Sequence, residues 1–203
     1  MILVDKNIKE LARNKKLIID GYNEDNVKNS SYDLVVDKII KSSDSVENKE
    51  NTCSRMKLQP SQFIYVKMKE KLHIPENILG IVAQKNSIMR LGLVVDGPNH
   101  QPGHKTNIYL RVQNISPNEI EIEEGQILAQ MIFEELKSIP DNPYNKDTTA
   151  SFNDEFEYSG FGKYKSKYNK LIEKVEKKEE KLDNMENRIY GNMITFMGIF
   201  ISI

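Results

Sequence analysis

The chain has 203 residues, with 29 lysines plus arginines against 30 aspartates plus glutamates, and 38% hydrophobic residues. This charge balance argues against a general polyanion binder, so we expect no nucleic-acid partner, and any phosphate site must be local. Cys53 is the single cysteine, which excludes an intramolecular disulfide framework and a cysteine-rich metal site and fits a cytoplasmic location. Residues 1–16 place a short apolar run before charges, the reverse of a signal peptide.

The first forty residues predict one helix and two strands. Residues 4–14 place their apolar side chains on one helical face, with Asp5 as the expected N-cap. The stretch KLIIDGY predicts a short strand, and SSYDLVVDKII alternates in the manner of a second. Residues 41–56 are polar and predict a solvated loop.

From Leu58 onward, apolar runs recur at short intervals between Pro, Gly, Asn and Asp turns. This spacing predicts an all-β barrel or sandwich of roughly ten strands, with helix as a minor component of the first 160 residues. The runs are FIYVKMKEKLHIP, ILGIVAQ, LGLVVDG, NIYLRVQN, EIEIEEG and QILAQMIFEEL.

Two of the three histidines lie four residues apart in a Pro/Gly-rich turn. His100 and His104 are either metal ligands or solvated loop residues, and we favour the second interpretation. We therefore expect no metal held by protein side chains.

The sequence becomes heavily charged after Tyr164 and predicts a helix over 163–192. Apolar residues recur every seven positions, two more lie three residues after members of that series, and Lys178 interrupts the pattern. These residues are Tyr168, Val175, Leu182 and Ile189, with Leu171 and Met185. The spacing predicts a short coiled coil, and a lone amphipathic helix folded back on the barrel is the alternative.

Residues 193–203 carry no charge and are too short to span a bilayer, which needs about 20 apolar residues. They could form the hydrophobic end of a helix bundle, an interfacial membrane anchor, or the start of a spanning helix in a longer chain. Left exposed, this run would be prone to aggregation, so we expect a lipid or protein partner for it.

Six stretches resemble, in order and spacing, the dCTP deaminase branch of the trimeric dUTPase superfamily. The resemblance covers residues 1–162 and implies a distorted jelly-roll β-barrel with an N-terminal helix. It also implies a homotrimer that binds dCTP or dUTP between subunits, with dCTP deamination or dUTP hydrolysis as the family reaction and Mg²⁺ carried by the phosphates. The stretches are SSYDLVV at 30–36, KNSIMRLGLVV at 85–95, QPGHKTNIYLRVQN at 101–114, EIEEGQILAQMIFEEL at 121–136, PYNKD at 143–147 and SGFGKY at 159–164.

The family's stretch that contributes to phosphate and base binding resembles residues 85–92. Ser87 and Arg90 match it, while Lys85 and Asn86 replace an arginine and a serine and retain a cation and hydrogen-bonding capacity. The alternative is that Arg90 makes an intersubunit ion pair and Ser87 caps a turn.

The resemblance implies further contacts with the nucleotide. Tyr144 of the Pro-Tyr-Asn element would lie near the base and sugar, and Phe161 of the SGFG stretch would cover the base. A linker turn between barrel and helix is the alternative for SGFG. We place Tyr109, on the NIYLRVQN strand, in the same nucleotide-binding set.

The chain departs from the family where catalysis is expected. By the resemblance, Arg111 occupies the position of the glutamate that acts as general base, and Gln101 occupies that of an aspartate in the preceding turn. An arginine stays protonated and cannot accept a proton near neutral pH. Asp96 is a possible substitute carboxylate, although an Asp-Gly turn is the commoner use of such a residue, and Glu155 is another.

We therefore expect a nucleotide-binding or sensing homotrimer that lacks the family reaction, with its C-terminal region contacting a membrane or partner protein. An active dCTP deaminase or dUTP pyrophosphatase with a relocated carboxylate is one alternative. A trimerising scaffold that binds no nucleotide is the other.

Overall fold

The computed structural model describes residues 1–40, 52–160 and 165–201, which divide into two units, 1–159 and 160–203. The helices are α1 (Asp5–Arg13), α2 (Asn86–Arg90) and α3 (Lys165–Ile201), with a 3₁₀ turn at Glu24–Asn26. The strands are β1 (Ile18–Asp20), β2 (Tyr32–Ile40), β3 (Thr52–Cys53), β4 (Arg55–Leu58), β5 (Phe63–His73), β6 (Ile78–Gln84), β7 (Leu93–Asp96), β8 (Lys105–Asn114), β9 (Ile120–Glu123) and β10 (Ile127–Glu135).

The first unit is built on one large antiparallel sheet that curls into a nearly closed barrel. Its main path runs β6-β10-β2-β5-β8-β7, with β1 added to β5 and β3 added to β2. The two ends of the path meet where Gln84 Nε2 donates a hydrogen bond of 2.6 Å to the Leu93 carbonyl. Strands β4 and β9 form a separate two-stranded ribbon. The predicted mainly-β class with an N-terminal helix is confirmed.

Period-two alternation on the central strands builds the core. On β8, Ile108, Leu110 and Val112 are fully buried, whereas Tyr109 and Arg111 point to the other face. Burying one such aliphatic side chain contributes about 1.5–3 kcal/mol, so the inward series determines which residues of the strand face outward.

Two local predictions are wrong. Val4, rather than Asp5, is the N-cap of α1, and Asp5 is its first helical residue. The loop predicted over 41–56 ends early, because β3 and β4 occupy 52–53 and 55–58, while 41–51 lie outside the described residues. Strand β4 was missed because it is stabilised by charge pairs with β9, such as Arg55 with Glu123 at 2.9 Å, which leave no apolar signal.

The second unit is the long helix α3, which continues past Met193, where the uncharged run begins. The side chains of the heptad series that are described are about half exposed or more: Leu171 49%, Val175 55%, Leu182 63%, Met185 58% and Ile189 56%. The side chain of Tyr168 lies outside the described residues. Within the described ranges, no helix has an apolar stretch long enough to cross a membrane.

One carboxyl group is buried between β5 and β2. Glu70 is 1% exposed, and its Oε2 accepts a hydrogen bond of 3.2 Å from the Val35 N–H. Burial raises the pKa of Glu70 to about 7, a rise that the Val35 hydrogen bond only partly opposes. Gly21 adopts a φ of +73° against this strand, where a Cβ would overlap the Lys69 carbonyl.

We predict that Glu70→Gln makes the protein less sensitive to alkaline pH. The folded-state pKa of about 7 lies above the ordinary value of 4.5, so folding binds a proton. The stability associated with the neutral carboxyl is complete below about pH 4.5 and is lost as the pH rises through about 7, a loss of about 3 kcal/mol. The measurement is the free energy of unfolding in urea, taken as variant minus wild type at each pH.

Glu124→Gln is the matched control, since hydrogen bonding to Lys38 lowers the pKa of the exposed Glu124. That substitution should not change the slope between about pH 5 and 8. Parallel profiles for Glu70→Gln and wild type over this range would contradict the prediction.

Candidate functional site

An ion pair on the outward face of the barrel holds the arginine at the centre of β8. The strand register places Arg111 opposite Tyr65 of β5 and Asp96 of β7. Its Nη2 donates a hydrogen bond of 2.6 Å to Asp96 Oδ2, and the two side chains are 48% and 49% exposed. The hydrogen bond to Asp96 raises the pKa of Arg111 further above its ordinary value. This position therefore supplies a permanent cation, and Asp96 is its partner.

Three tyrosines, Tyr65, Tyr109 and Tyr158, lie next to this pair. The ring of Tyr158 lies 5.2 Å from that of Tyr109 and 5.6 Å from that of Tyr65. Burial raises the pKa of Tyr158 to about 12, so its hydroxyl stays protonated at neutral pH. Tyr65 and Tyr158 were absent from the predicted set, and only the outward position of Tyr65 in an alternating strand pointed to this face.

Residues 153–156 run alongside β8 and position Tyr158. Thr106 and Glu155 form a parallel bridge, and the Asn107 N–H donates to the Glu155 carbonyl at 2.9 Å. The Phe156 ring lies 3.6 Å from the Lys71 ammonium. Phe161, the predicted cover for a base, lies outside the described residues.

The predicted phosphate-binding residues lie at and on the short helix α2. Lys85 precedes the helix, and its Nζ lies 2.5 Å from Asp33 Oδ1, which belongs to a carboxylate only 2% exposed. Asn86, Ser87 and Arg90 are exposed, and Arg90 Nε donates to Asn86 Oδ1 at 3.3 Å. An ammonium has three donors, so Lys85 can bind Asp33 and still offer a hydrogen bond to an anion.

The turn that carries Gln101 packs against the Pro-Tyr-Asn element. The Tyr144 N–H donates to the Pro102 carbonyl at 2.8 Å, and Gln101 is exposed. Gly103 has a φ of +83°, and a Cβ there would lie 2.6 Å from Asn145 Oδ1, so a glycine is needed where the two segments meet. The structure thus joins two stretches that are distant in sequence.

The two histidines of this turn are buried, so the interpretation as solvated loop residues is wrong. His100 and His104 are 1% and 6% exposed, with ring centroids 5.4 Å apart. The turn folds inward because the His100 backbone pairs with Gly80 in both directions, at 2.7 and 2.9 Å. Burial lowers the pKa of His100 to about 3 and also lowers that of His104, so both rings are neutral near pH 7.

His104 also contacts the predicted base-binding tyrosine. Its ring lies 4.2 Å from that of Tyr144, and its Nε2 lies 2.8 Å from the Phe152 carbonyl oxygen. One face of Tyr144 is therefore already occupied by an imidazole. Among the described residues, no group of three or more histidines, cysteines or carboxylates is arranged to hold a metal ion.

The predicted residues that the structure describes fall into three groups within the chain. These are the α2 group (Lys85, Asn86, Ser87 and Arg90), the β8 group (Tyr109, Arg111 and Asp96) and the turn with Gln101 and Tyr144. In the described part of the chain, no hydrogen bond or ion pair joins the α2 group to Arg111. A cleft of about 340 Å³ lies elsewhere, with Leu3, Asn7 and Asn77 in its lining.

Comparison with known proteins places this architecture in a family. The family model described as dCTP deaminase-like matches residues 2–136, more than half of the chain. The chain belongs to the dCTP deaminase-like family. The resemblance predicted from the six sequence stretches is thereby confirmed.

Individual relatives of the dCTP deaminase-like family match most of their own length. A dUMP-forming dCTP deaminase from Persephonella marina is 29% identical over 173 residues, covering 74% of this chain and 96% of the relative. A dCTP deaminase from Pyrococcus horikoshii is 24% identical, covering 74% and 93%. The crystal structure of 2′-deoxycytidine 5′-triphosphate deaminase from Agrobacterium tumefaciens shares the fold, with a TM-score of 0.56 at 19% identity over 66% of this chain and 48% of that one.

We predict that Lys85→Met lowers the free energy of unfolding by about 2 kcal/mol, because the buried Asp33 carboxylate loses its closest cation. Ser87→Ala, an exposed substitution on α2, is the control and should change stability by less than about 0.5 kcal/mol. Urea unfolding measures both, and the double variant Asp33→Asn/Lys85→Met should recover part of the loss. Equal stability of Lys85→Met and Ser87→Ala would contradict the prediction.

Proposed function

We propose that this member of the dCTP deaminase-like family binds a deoxynucleoside triphosphate but does not deaminate dCTP. The observation that carries the proposal is Arg111, held 2.6 Å from Asp96 at the position where the family resemblance implies a general-base glutamate. Deamination requires a group that takes a proton from water, and a guanidinium cannot do this near neutral pH. Asp96 already accepts a hydrogen bond of 2.6 Å from the same guanidinium, so its carboxylate is engaged in a structural pair.

The α2 group supports the binding half of the proposal. Arg90 and Lys85 supply cations, and the exposed Ser87 and Asn86 supply hydrogen bonds for a triphosphate. Tyr144, Tyr109 and Phe161 are proposed to contact base and sugar, with Arg111 as an additional cation. Mg²⁺ would be held by the phosphates and water rather than by protein ligands.

Exposed apolar residues at the C-terminal end of α2 support a site shared between copies of the chain. Met89 and Leu91 flank Arg90 in sequence and are 56% and 55% exposed. Large exposed apolar side chains beside a cluster of polar side chains are typical of a protein–protein interface. We therefore propose that the protein is a homotrimer whose nucleotide site is completed by a neighbouring subunit, as the family resemblance implies. Nucleotide occupancy would then be sensed through the C-terminal helix or its apolar end.

Retained catalysis is the second candidate, favoured by relatives whose names specify dCTP deaminase activity. It requires a relocated base, either Asp96 freed from Arg111 or Glu155, whose Oε1 now accepts from the Ser159 N–H at 2.9 Å. On this alternative, Asp96→Asn or Glu155→Gln abolishes turnover and Arg111→Glu does not increase it. On our proposal, wild type, Asp96→Asn and Glu155→Gln all lack turnover, because there is no reaction to lose.

Turnover decides between the two candidates. We expect no release of ammonia or pyrophosphate when the full chain is incubated with dCTP or dUTP and Mg²⁺. The Persephonella marina enzyme, assayed in parallel with dCTP, is the positive control. Robust release of either product by this chain would overturn the non-catalytic proposal.

Binding is tested separately by thermal shift. A triphosphate at about 100 times its dissociation constant should stabilise the fold by about 2.7 kcal/mol and raise the melting temperature. Arg90→Ala should remove most of this shift, whereas Arg55→Ala, an exposed arginine on β4, should preserve it. No shift with any deoxynucleotide would favour the trimerising scaffold.

A further inference from the structure

The apolar face of α3 is bordered by charges of opposite sign on its two sides. We call the heptad positions with Leu171, Val175, Leu182, Met185 and Ile189 the seam. One border carries only basic residues, and the other carries two glutamates at the equivalent heptad positions. The basic border is Lys174, Lys181 and Arg188, and the acidic pair is Glu179 and Glu186.

These border charges are poorly placed for a helix that stands alone. Lys174 is three and four residues from Lys177 and Lys178, and Lys181 has the same two lysines on its N-terminal side. Residues at these spacings are neighbours on a helix, and like charges there are destabilising.

The acidic border has the same arrangement. Glu179 lies three residues after Glu176 and four before Asp183, and Glu186 lies three after Asp183. A helix stabilised by its own surface would instead alternate glutamate and lysine four residues apart. The segregation of charge points to a partner on each side of the seam.

We propose that α3 pairs with the same helix of other copies of this chain, parallel and in register. In a parallel coiled coil, the residue at one border faces the opposite border of its neighbour five positions further on. Lys174 then faces Glu179 of the neighbouring copy, and Lys181 faces Glu186. An antiparallel arrangement would set the basic borders against each other and the acidic borders likewise. The charge distribution therefore selects both the partner and its direction.

Lys178 interrupts the seam and is compatible with this arrangement, although it weakens the association. Its aliphatic stem can lie along the seam while its ammonium reaches the acidic border, beside Glu179 of the neighbouring copy. The interruption weakens the association without reversing it. Lys178→Leu should accordingly strengthen it.

This inference goes beyond the proposed nucleotide site and does not rest on it, because it uses only residues of α3. It is tested by disulfide formation in the full chain with Cys53→Ser as background, since Cys53 is the single native cysteine. Val175→Cys and Ile189→Cys each place a thiol in the seam, and Asn187→Cys places one on the opposite face as the matched control. We expect each seam variant to form covalent dimers with itself under mild oxidation, and the control to form few.

The two seam positions also distinguish the helix directions. In an antiparallel arrangement the two kinds of core position face each other, so neither Val175→Cys nor Ile189→Cys would face its own copy, and the absence of self-dimers at both positions would overturn the proposal. Equal cross-linking at all three positions, or none at the seam, would overturn it too.

Charge reversal tests the border pairs independently of the cysteine positions. In the Val175→Cys background, Lys174→Glu/Lys181→Glu makes both borders acidic, and Glu179→Lys/Glu186→Lys makes both basic. Each variant alone should lose the cross-linked band, and co-expression of the two should restore it between unlike chains. If either charge-reversed variant alone cross-linked as much as Val175→Cys with native borders, the borders would not direct association and the inference would be overturned.

Discussion

The pairing of β8 with β5 on one side and β7 on the other determines the chemistry that the outward face can present. Ile108, Leu110 and Val112 are fully buried, so the register of the strand is set by the core. A slip of one residue would place Arg111 in the barrel interior and expose the aliphatic series. The packing of the core therefore keeps Arg111 on the outward face, where it is accessible to a ligand, and no ligand is needed to hold it there. The same pairing brings Asp96 and Tyr65 to either side of it.

Two cations of the candidate site are already paired with carboxylates of the same chain. Lys85 contacts the buried Asp33, and Arg111 contacts the half-exposed Asp96. The two pairs differ in how easily an incoming anion could replace the carboxylate. The Asp33 carboxylate is excluded from water, so Lys85 must keep that partner and share its remaining donors. The Arg111 pair is exposed and contributes little to stability, so a phosphate could displace Asp96 at small cost. Arg90, whose described side-chain hydrogen bond goes to the neutral amide of Asn86, is the least committed of the three.

Sequence periodicity predicted an all-β barrel or sandwich because the inward residues of strands such as β5 and β8 alternate strictly, and the family resemblance implied the barrel. The proline and glycine content located the turn at Pro102–Gly103, where the glycine has a φ of +83° and packs closely against Asn145. The family resemblance, now confirmed, supplied the expected roles. What local sequence did not predict depends on contacts between distant residues.

The pairing of Lys85 with Asp33, 52 residues apart, leaves no trace in periodicity. Helix α2 is only five residues long and has no side-chain cap, so its start carries no signal. The burial of His100 follows from its backbone pairing with Gly80, and polarity alone suggested a solvated turn. The roles of Lys85, Ser87 and Arg90 toward a nucleotide remain predictions.

The segment that runs beside β8 also protects the sheet from other chains. Strand β7 covers only residues 111–114 of β8, which leaves the N–H and C=O groups near Thr106 open on that side. Residues 154–156 fill this gap with parallel backbone hydrogen bonds. An unpaired strand edge is a template for intermolecular pairing and aggregation. A barrel shortened before Asn153 would therefore keep its core but gain a reactive edge, which sets a practical limit on how far the chain can be trimmed.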